Sequence, residues 1–182
     1  MNKIFITAND LLEDAFKLAV KIHLSGFRPD FIVGVWRGGT PVAMAVQEYF
    51  EYKGIHTEHT AIRAASYTGI NERTHNVAIT GLEYIFNKTS PNDKILVVDD
   101  VFDTGNSFKA ILNALAEEYE EGIHDRVKTA CPWYKPANNQ TDIVPDFYLH
   151  KTDSWLVFPH ELKGLTENEI IAGKPAIGRI IV

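Results

Sequence analysis

The chain of 182 residues is long enough for a substantial hydrophobic core and short enough for one domain. Its 45% hydrophobic and 23% charged residues fit an ordinary globular protein, and a net charge of −6 argues against nucleic acid as the main partner, because duplex binding needs a basic surface. One cysteine, Cys131, excludes an internal disulfide and reads as a small buried hydrophobe. No segment reaches the roughly 20 apolar residues of a membrane span, and the N-terminal stretch lacks a long apolar run. A cytoplasmic location with no membrane contact is expected.

In chain order, Leu12, Phe16, Ala19, Val20 and His23 recur at helical spacing, with Asn9 as the expected cap and Gly26 as the stop. Residues 31–35 form a short apolar run that reads as a strand. Thr40 and Pro41 then open a second helix as cap and first helical residue, its apolar face carried by Val42, Ala45, Val46, Tyr49 and Phe50, and Lys53-Gly54 ends it. Residues 55–64 are β-like. The polar stretch over about 65–80 is long for a connection in a compact domain and reads as a lid or a disordered segment. Residues 95–98 are a wholly apolar strand, buried on both faces as in a parallel sheet. A further amphipathic helix follows, marked by Phe108, Ile111, Leu112, Leu115 and Tyr119. Three β-like runs come next, at 127–131, 147–150 and 155–158, and residues 163–182 form a Gly- and Pro-punctuated extension. Strands alternating with helices predict one α/β domain over 1–182, with a mainly parallel twisted sheet flanked by helices.

The chemistry concentrates where the strand at 95–98 runs into Asp99, Asp100, Val101, Phe102, Asp103, Thr104, Gly105, Asn106 and Ser107. This is the carboxyl end of a parallel strand, where ligands bind in such sheets. Backbone N–H groups, a glycine and two hydroxyls at a helix N-terminus suit a phosphate. The carboxylates would repel that phosphate and suit sugar hydroxyls or a metal ion, so a phosphorylated sugar fits both parts. Three carboxylates in five residues repel one another and need a ligand or cation to offset the strain. The spacing does not match the Asp-x-Asp of aspartate-nucleophile phosphatases, and receiver domains lack the Thr-Gly-x-Ser turn. Arg37-Gly38-Gly39, at the end of an earlier strand, is a second candidate phosphate contact, since arginine forks onto phosphate oxygens. His56 and His59, three apart in a β-like run, point to opposite faces and make a poor metal pair.

Residues 97–107 resemble the phosphoribosyl-pyrophosphate signature of type I phosphoribosyltransferases. Gly34-Val35-Trp36-Arg37-Gly38-Gly39, Lys135-Pro136-Ala137 and Trp155-Leu156-Val157-Phe158-Pro159 resemble the pyrophosphate loop, the lysine segment and the hood strand of the family's hypoxanthine/xanthine/guanine branch. The resemblance implies a sheet topped by a small C-terminal hood over about 132–162. It also implies Mg²⁺-dependent transfer of phosphoribosyl from phosphoribosyl pyrophosphate to a 6-oxopurine, as in purine salvage. Asp99 and Asp100 would then bind the ribose hydroxyls and Mg²⁺. Thr104, Gly105, Asn106 and Ser107 would hold the 5′-phosphate, and Arg37, Gly38 and Gly39 the pyrophosphate. Asp103 would act as general base near N7. Lys135 would read the 6-oxo group, Trp155 would stack on the base, and the Leu156 backbone would read the purine edge. Glu161 would hold a second Mg²⁺ through water, and Ser66-Tyr67 would close in the lid. In that family the pyrophosphate loop often holds a non-proline cis peptide, and a homodimer or homotetramer is expected. Alternatives are a non-catalytic regulator that binds phosphoribosyl pyrophosphate, or a transferase for another nucleobase. Asp103, Lys135 and the Ser-Tyr pair favour an enzyme, because a pure sensor needs neither base nor lid.

Overall fold

A computed structural model describes residues 3–67, 76–90, 92–119 and 123–182. In chain order it runs β1 (Lys3–Phe5), α1 (Ala8–Leu24), β2 (Phe31–Trp36), α2 (Gly39–Tyr52), β3 (Glu58–Tyr67), β4 (Asn76–Thr80), α3 (Leu82–Lys88), β5 (Ile95–Val98) and β6 (Val101–Phe102). It continues with α4 (Asn106–Tyr119), α5 (Ile123–Arg126), β7 (Val127–Tyr134), β8 (Phe147–Lys151), β9 (Trp155–Val157), α6 (Glu167–Gly173) and α7 (Pro175–Ile181). The main sheet is ordered β4-β3-β2-β5-β7, with β8 on the outer side of β7. All its pairings are parallel except the β3–β4 hairpin. The mainly parallel, helix-flanked sheet agrees with the sequence reading.

The central strands are apolar on both faces because each face feeds a different core. In β5, Leu96 and Val98 join Ile32, Leu18, Ile22, Val46 and Phe50 beneath α1 and α2. Ile95 and Val97 join Val33, Ile62, Phe108, Ile111 and Leu115 beneath α4. All four β5 side chains are fully buried, and each contributes about 1.5–3 kcal/mol by leaving water. That double anchoring fixes the height at which the strand ends and the acidic turn begins.

β5 and β6 are one strand with a gap. Both pair with β7 at the same offset of 32 residues: Ile95 beside Val127 and Val98 beside Ala130 before the gap, Val101 beside Trp133 and Phe102 beside Tyr134 after it. Asp99 and Asp100 fill the gap, opposite Cys131 and Pro132. Pro132 has no N–H to give a ladder bond there.

Several elements differ from expectation. α1 is capped by Thr7, not Asn9. Its hydroxyl accepts from Asp10 N–H, and Asp10 bonds back to Thr7 N–H, a reciprocal capping box. The buried face of α1 is Leu11, Ala15, Leu18, Ala19 and Ile22; of the expected face only Ala19 is buried, and Leu12, Phe16 and Val20 are 50%, 40% and 38% exposed. The helix carries apolar residues on both sides, so spacing alone chose the wrong stripe. α2 begins at Gly39, one residue before the expected cap, and the Thr40 hydroxyl instead donates to Arg37 O at 2.6 Å. Its end at Lys53-Gly54 agrees with the sequence reading, Gly54 having φ +72°.

At the two ends of the stretch expected as an irregular lid over 65–80, Ala65, Ser66 and Tyr67 pair with Ala78, Val77 and Asn76 in an antiparallel ladder. Residues 68–75 of that expected lid, and the Ser66 and Tyr67 side chains, lie outside the described residues. The helix α3 has no counterpart in the sequence reading. The hood is also built differently from the expected span 132–162. β7 and β8 belong to the main sheet, and the hood sheet is β9 paired in parallel with the N-terminal strand β1, Lys3 beside Trp155 and Phe5 beside Val157. The C-terminal extension forms α6 and α7. Lys3 reaches Glu169 at 2.6 Å, and buried Lys174 donates to Phe158 O at 2.5 Å and Pro159 O at 3.1 Å, binding the extension to the hood. Among the described residues no helix is long and apolar enough to cross a membrane.

Candidate active site

The cleft lies at the carboxyl ends of β2, β5 and β7. Asp100 is buried and Asp99 partly so. Asp99 Oδ1 accepts from Asp100 N–H at 2.9 Å, and Asp99 N–H donates to Ala130 O at 3.0 Å across the gap. Burial first, and then the adjoining Asp100 carboxylate, pushes the Asp99 carboxyl well above the usual range. A pair so placed needs a proton, a cation or hydroxyl donors to be stable.

Gly38 and Gly39 sit against this pair. A Cβ on Gly39 would lie 2.3 Å from Val98 O and 2.7 Å from Asp99 Cα; one on Gly38 would lie 1.9 Å from the Asp100 carboxylate. Glycine is therefore required for the loop after β2 to touch the acidic turn. The Trp36–Arg37 peptide at that point is cis, and Trp36 and Arg37 are exposed. The two sequence-predicted loops thus meet, with Arg37 at the rim.

The turn into α4, the sequence's candidate for a phosphate, follows. Gly105 has φ +81°, and a Cβ there would lie 2.5 Å from the Thr141 hydroxyl and 2.7 Å from the Phe102 ring. Thr104 Oγ1 accepts from Asn106 N–H at 3.4 Å. α4 then starts at Asn106, so Asn106 and Ser107 lie in a helix first turn, whose N–H groups have no acceptor within the helix. A loop from the other side braces this turn: Gln140 N–H donates to Thr104 O at 2.9 Å, and Lys109 pairs with Asp142 at 2.5 Å.

Asp103 links the turn to the second half of the cleft. Lys135, buried at the end of β7, lies 3.2 Å from Asp103 Oδ2, and Asn138 Nδ2 donates to Asp103 Oδ1 at 2.7 Å. The Lys135 backbone is fixed by its N–H to Phe102 O at 2.9 Å. In the hood, Trp155 is 50% exposed while Leu156 is buried and extends the core. Glu161 is engaged locally: its Oε2 accepts from Phe158 N–H at 3.1 Å. Lys174 stands beside it, held below the usual lysine range by burial and partly restored by the Glu161 charge.

Two contact residues escaped the sequence reading. Asn138 sits in a Pro-Ala-Asn-Asn run that reads as an ordinary turn. His160, next after the hood motif, places Nε2 3.3 Å from Asp100 Oδ2 and stacks on Phe158. His56 pairs with Glu51 and His59 contacts Gln47. Among the described residues no three His, Cys, Asp or Glu side chains form a metal cage.

The model of the phosphoribosyl transferase domain family matches residues 6–163, and the chain belongs to that family. No curated protein matches it in sequence. Among solved structures, a purine phosphoribosyltransferase from Pyrococcus horikoshii is similar at 26% identity and TM-score 0.70, over 91% of this chain and 98% of that one. A hypothetical protein from Neisseria gonorrhoeae with bound ppGpp is 22% identical at TM-score 0.74, over 96% and 97%. The Helicobacter pylori xanthine-guanine-hypoxanthine phosphoribosyltransferase is 22% identical at TM-score 0.69, over 86% and 92%.

Proposed function

We propose that the protein transfers phosphoribosyl from phosphoribosyl pyrophosphate to a 6-oxopurine, releasing pyrophosphate, in purine salvage. A purine nitrogen attacks C1 of the ribose as the bond to pyrophosphate breaks, and positive charge builds on the sugar ring. Asp99 and Asp100 accept from the ribose hydroxyls and lend negative potential to that ring. The N–H groups and hydroxyls of Thr104 to Ser107 hold the 5′-phosphate. Gly38 and Gly39 bring backbone close to the leaving group, and Arg37 takes its charge. Asp103 takes the proton released from the base, Lys135 donates to the 6-oxo oxygen, and Trp155 covers the ring.

The donor set fits Mg²⁺. Two hard carboxylates need a counter-charge, and Mg²⁺ usually takes only one or two protein carboxylates beside substrate oxygens and water. Asp99 and Asp100 would hold it, with Glu161 a more distant candidate through water. When bound, it neutralises charge developing on the pyrophosphate.

One contact carries the reading: the 3.2 Å pairing of Lys135 with Asp103, beside the phosphate turn. It joins an acid–base group to a cation that selects an oxo over an amino substituent. The purine phosphoribosyltransferase of similar fold supports it. The test is incubation with phosphoribosyl pyrophosphate, Mg²⁺ and hypoxanthine, guanine or xanthine in turn. Nucleotide formation is expected, and Asp103→Asn should lower kcat by roughly 10²- to 10⁴-fold with little change in KM for phosphoribosyl pyrophosphate. No nucleotide from any base would favour a regulator instead.

A further inference from the structure

We propose that Asn138 is a positioning residue: it holds Asp103 in place while Lys135 exchanges that carboxylate for the 6-oxo oxygen of an incoming purine. The inference rests on the assignment above of Asp103 as base and Lys135 as the purine's partner.

Both oxygens of Asp103 are occupied, Oδ1 by Asn138 at 2.7 Å and Oδ2 by Lys135 at 3.2 Å. Lys135 is 8% exposed, so its charge needs an acceptor at all times. A 6-oxo oxygen supplies a second acceptor. When Lys135 turns to it, Oδ2 loses its counter-charge and becomes free to take the proton from the base. A 6-amino group offers donors instead, leaves Lys135 on Asp103, and keeps the base neutralised. Recognition of the oxo group and activation of the base are then one event.

The exchange needs one contact that does not move, or Asp103 would swing out with its released oxygen. Asn138 is built for that. It is neutral, so it does not follow the charge. Its N–H donates to Lys135 O at 3.2 Å in the single turn Pro136–Asn138, where Pro136 restricts the backbone. The next residue, Asn139, locks the loop, donating to Ile143 O at 2.8 Å and accepting from Thr141 N–H at 2.9 Å. Gln140 then fastens the loop to the phosphate turn through Thr104 O. The loop that carries Asn138 is thus clamped at both sides of the carboxylate it holds.

Steady-state kinetics of the full chain with phosphoribosyl pyrophosphate, Mg²⁺ and hypoxanthine test this. Asn138→Ala should lower kcat about tenfold through the lost hydrogen bond. Asn138→Asp, which sets a second carboxylate against Asp103, should lower it further, and Asn138→Gln, which keeps the donor, should recover part of the loss. KM for phosphoribosyl pyrophosphate should stay within about twofold in all three, a split that general loosening of the loop does not produce. Thermal melting of each variant controls for folding, and Asn138→Gln keeps the comparison open if another variant fails to fold. Full kcat in Asn138→Ala, or Asn138→Asp no worse than Asn138→Ala, overturns the positioning role. Asp103→Asn measured beside them separates the two levels: if it turns over like the wild type, the base assignment itself has failed.

Discussion

The two halves of the cleft are made in different ways. The half proposed to hold ribose and phosphate comes from one continuous stretch, the buried strand β5, the gap at Asp99-Asp100 and the turn into α4, pressed from one side by Gly38 and Gly39. The base half is assembled from pieces far apart in the chain: Lys135 and Asn138 after β7, Trp155 to His160 in the hood, and β1 beneath it. The first is set in the core of the domain, while the second ends in a half-exposed tryptophan on a two-stranded sheet. On the proposed reading, a local motif binds the phosphorylated sugar, and the part that would select the acceptor depends on long-range contacts.

The sharpest way to break the ribose–phosphate half is Gly39→Ala. Its Cβ meets backbone at 2.3 Å, so the strand end must move, at a cost of about 3 kcal/mol in a urea titration. The nearest atoms to the new Cβ in Gly38→Ala belong to the Asp100 carboxylate rather than to backbone. This substitution should leave stability nearer wild type and raise KM for phosphoribosyl pyrophosphate roughly 10- to 100-fold, the worth of a charged hydrogen bond. Equal stability loss in both would show that the loop responds as a unit. On the base side, Lys135→Ala should lower kcat/KM for 6-oxopurines by roughly 10- to 100-fold while binding of phosphoribosyl pyrophosphate, read by titration calorimetry, is retained. A parallel loss of that binding would deny that the halves are separable. The smallest effect concerns the hood's anchor. The Lys3 ammonium, and then the Thr166 N–H, pulls the Glu169 carboxyl from 4.5 to about 2. A group depressed on folding stabilises most above its unfolded value, so this contribution is complete above about pH 4.5 and lost as pH falls through about 2. The urea midpoints of wild type and Glu169→Gln should therefore differ at pH 6, draw closer by pH 3 and converge only toward pH 2.

What could be read from the sequence follows the same division. β5 and its turn were legible because an unbroken apolar run and clustered carboxylates lie in one window. Arg37-Gly38-Gly39 stands out in the sequence as a candidate phosphate loop, but that its glycines face the acidic pair emerges only when β2 and β5 lie side by side. β4 has five residues, too short a run to stand out next to the polar stretch before it, and its partner β3 lies earlier in the chain. β1 has three residues, too few for any periodicity, and its partner lies at the other end of the chain. Thr7 with Asp10 did carry a capping signal, which the nearer asparagine obscured. For α1, apolar residues on both sides left two possible inner faces, and only the packing of α2 and β5 decides between them.

The pairing of β1 with β9 has a consequence for how the molecule comes together. Closing it joins Lys3 to Trp155, the longest loop closure in either sheet, whereas the ladders of β5 with β2 and β7 form without it. The hood is accordingly expected to form late and to open alone. In native-state hydrogen exchange the amides of Lys3–Phe5 and Trp155–Val157 should then exchange together, and at lower free energy than those of β5. Exchange of both sets in one global step would mean instead that the two halves of the cleft stand or fall together.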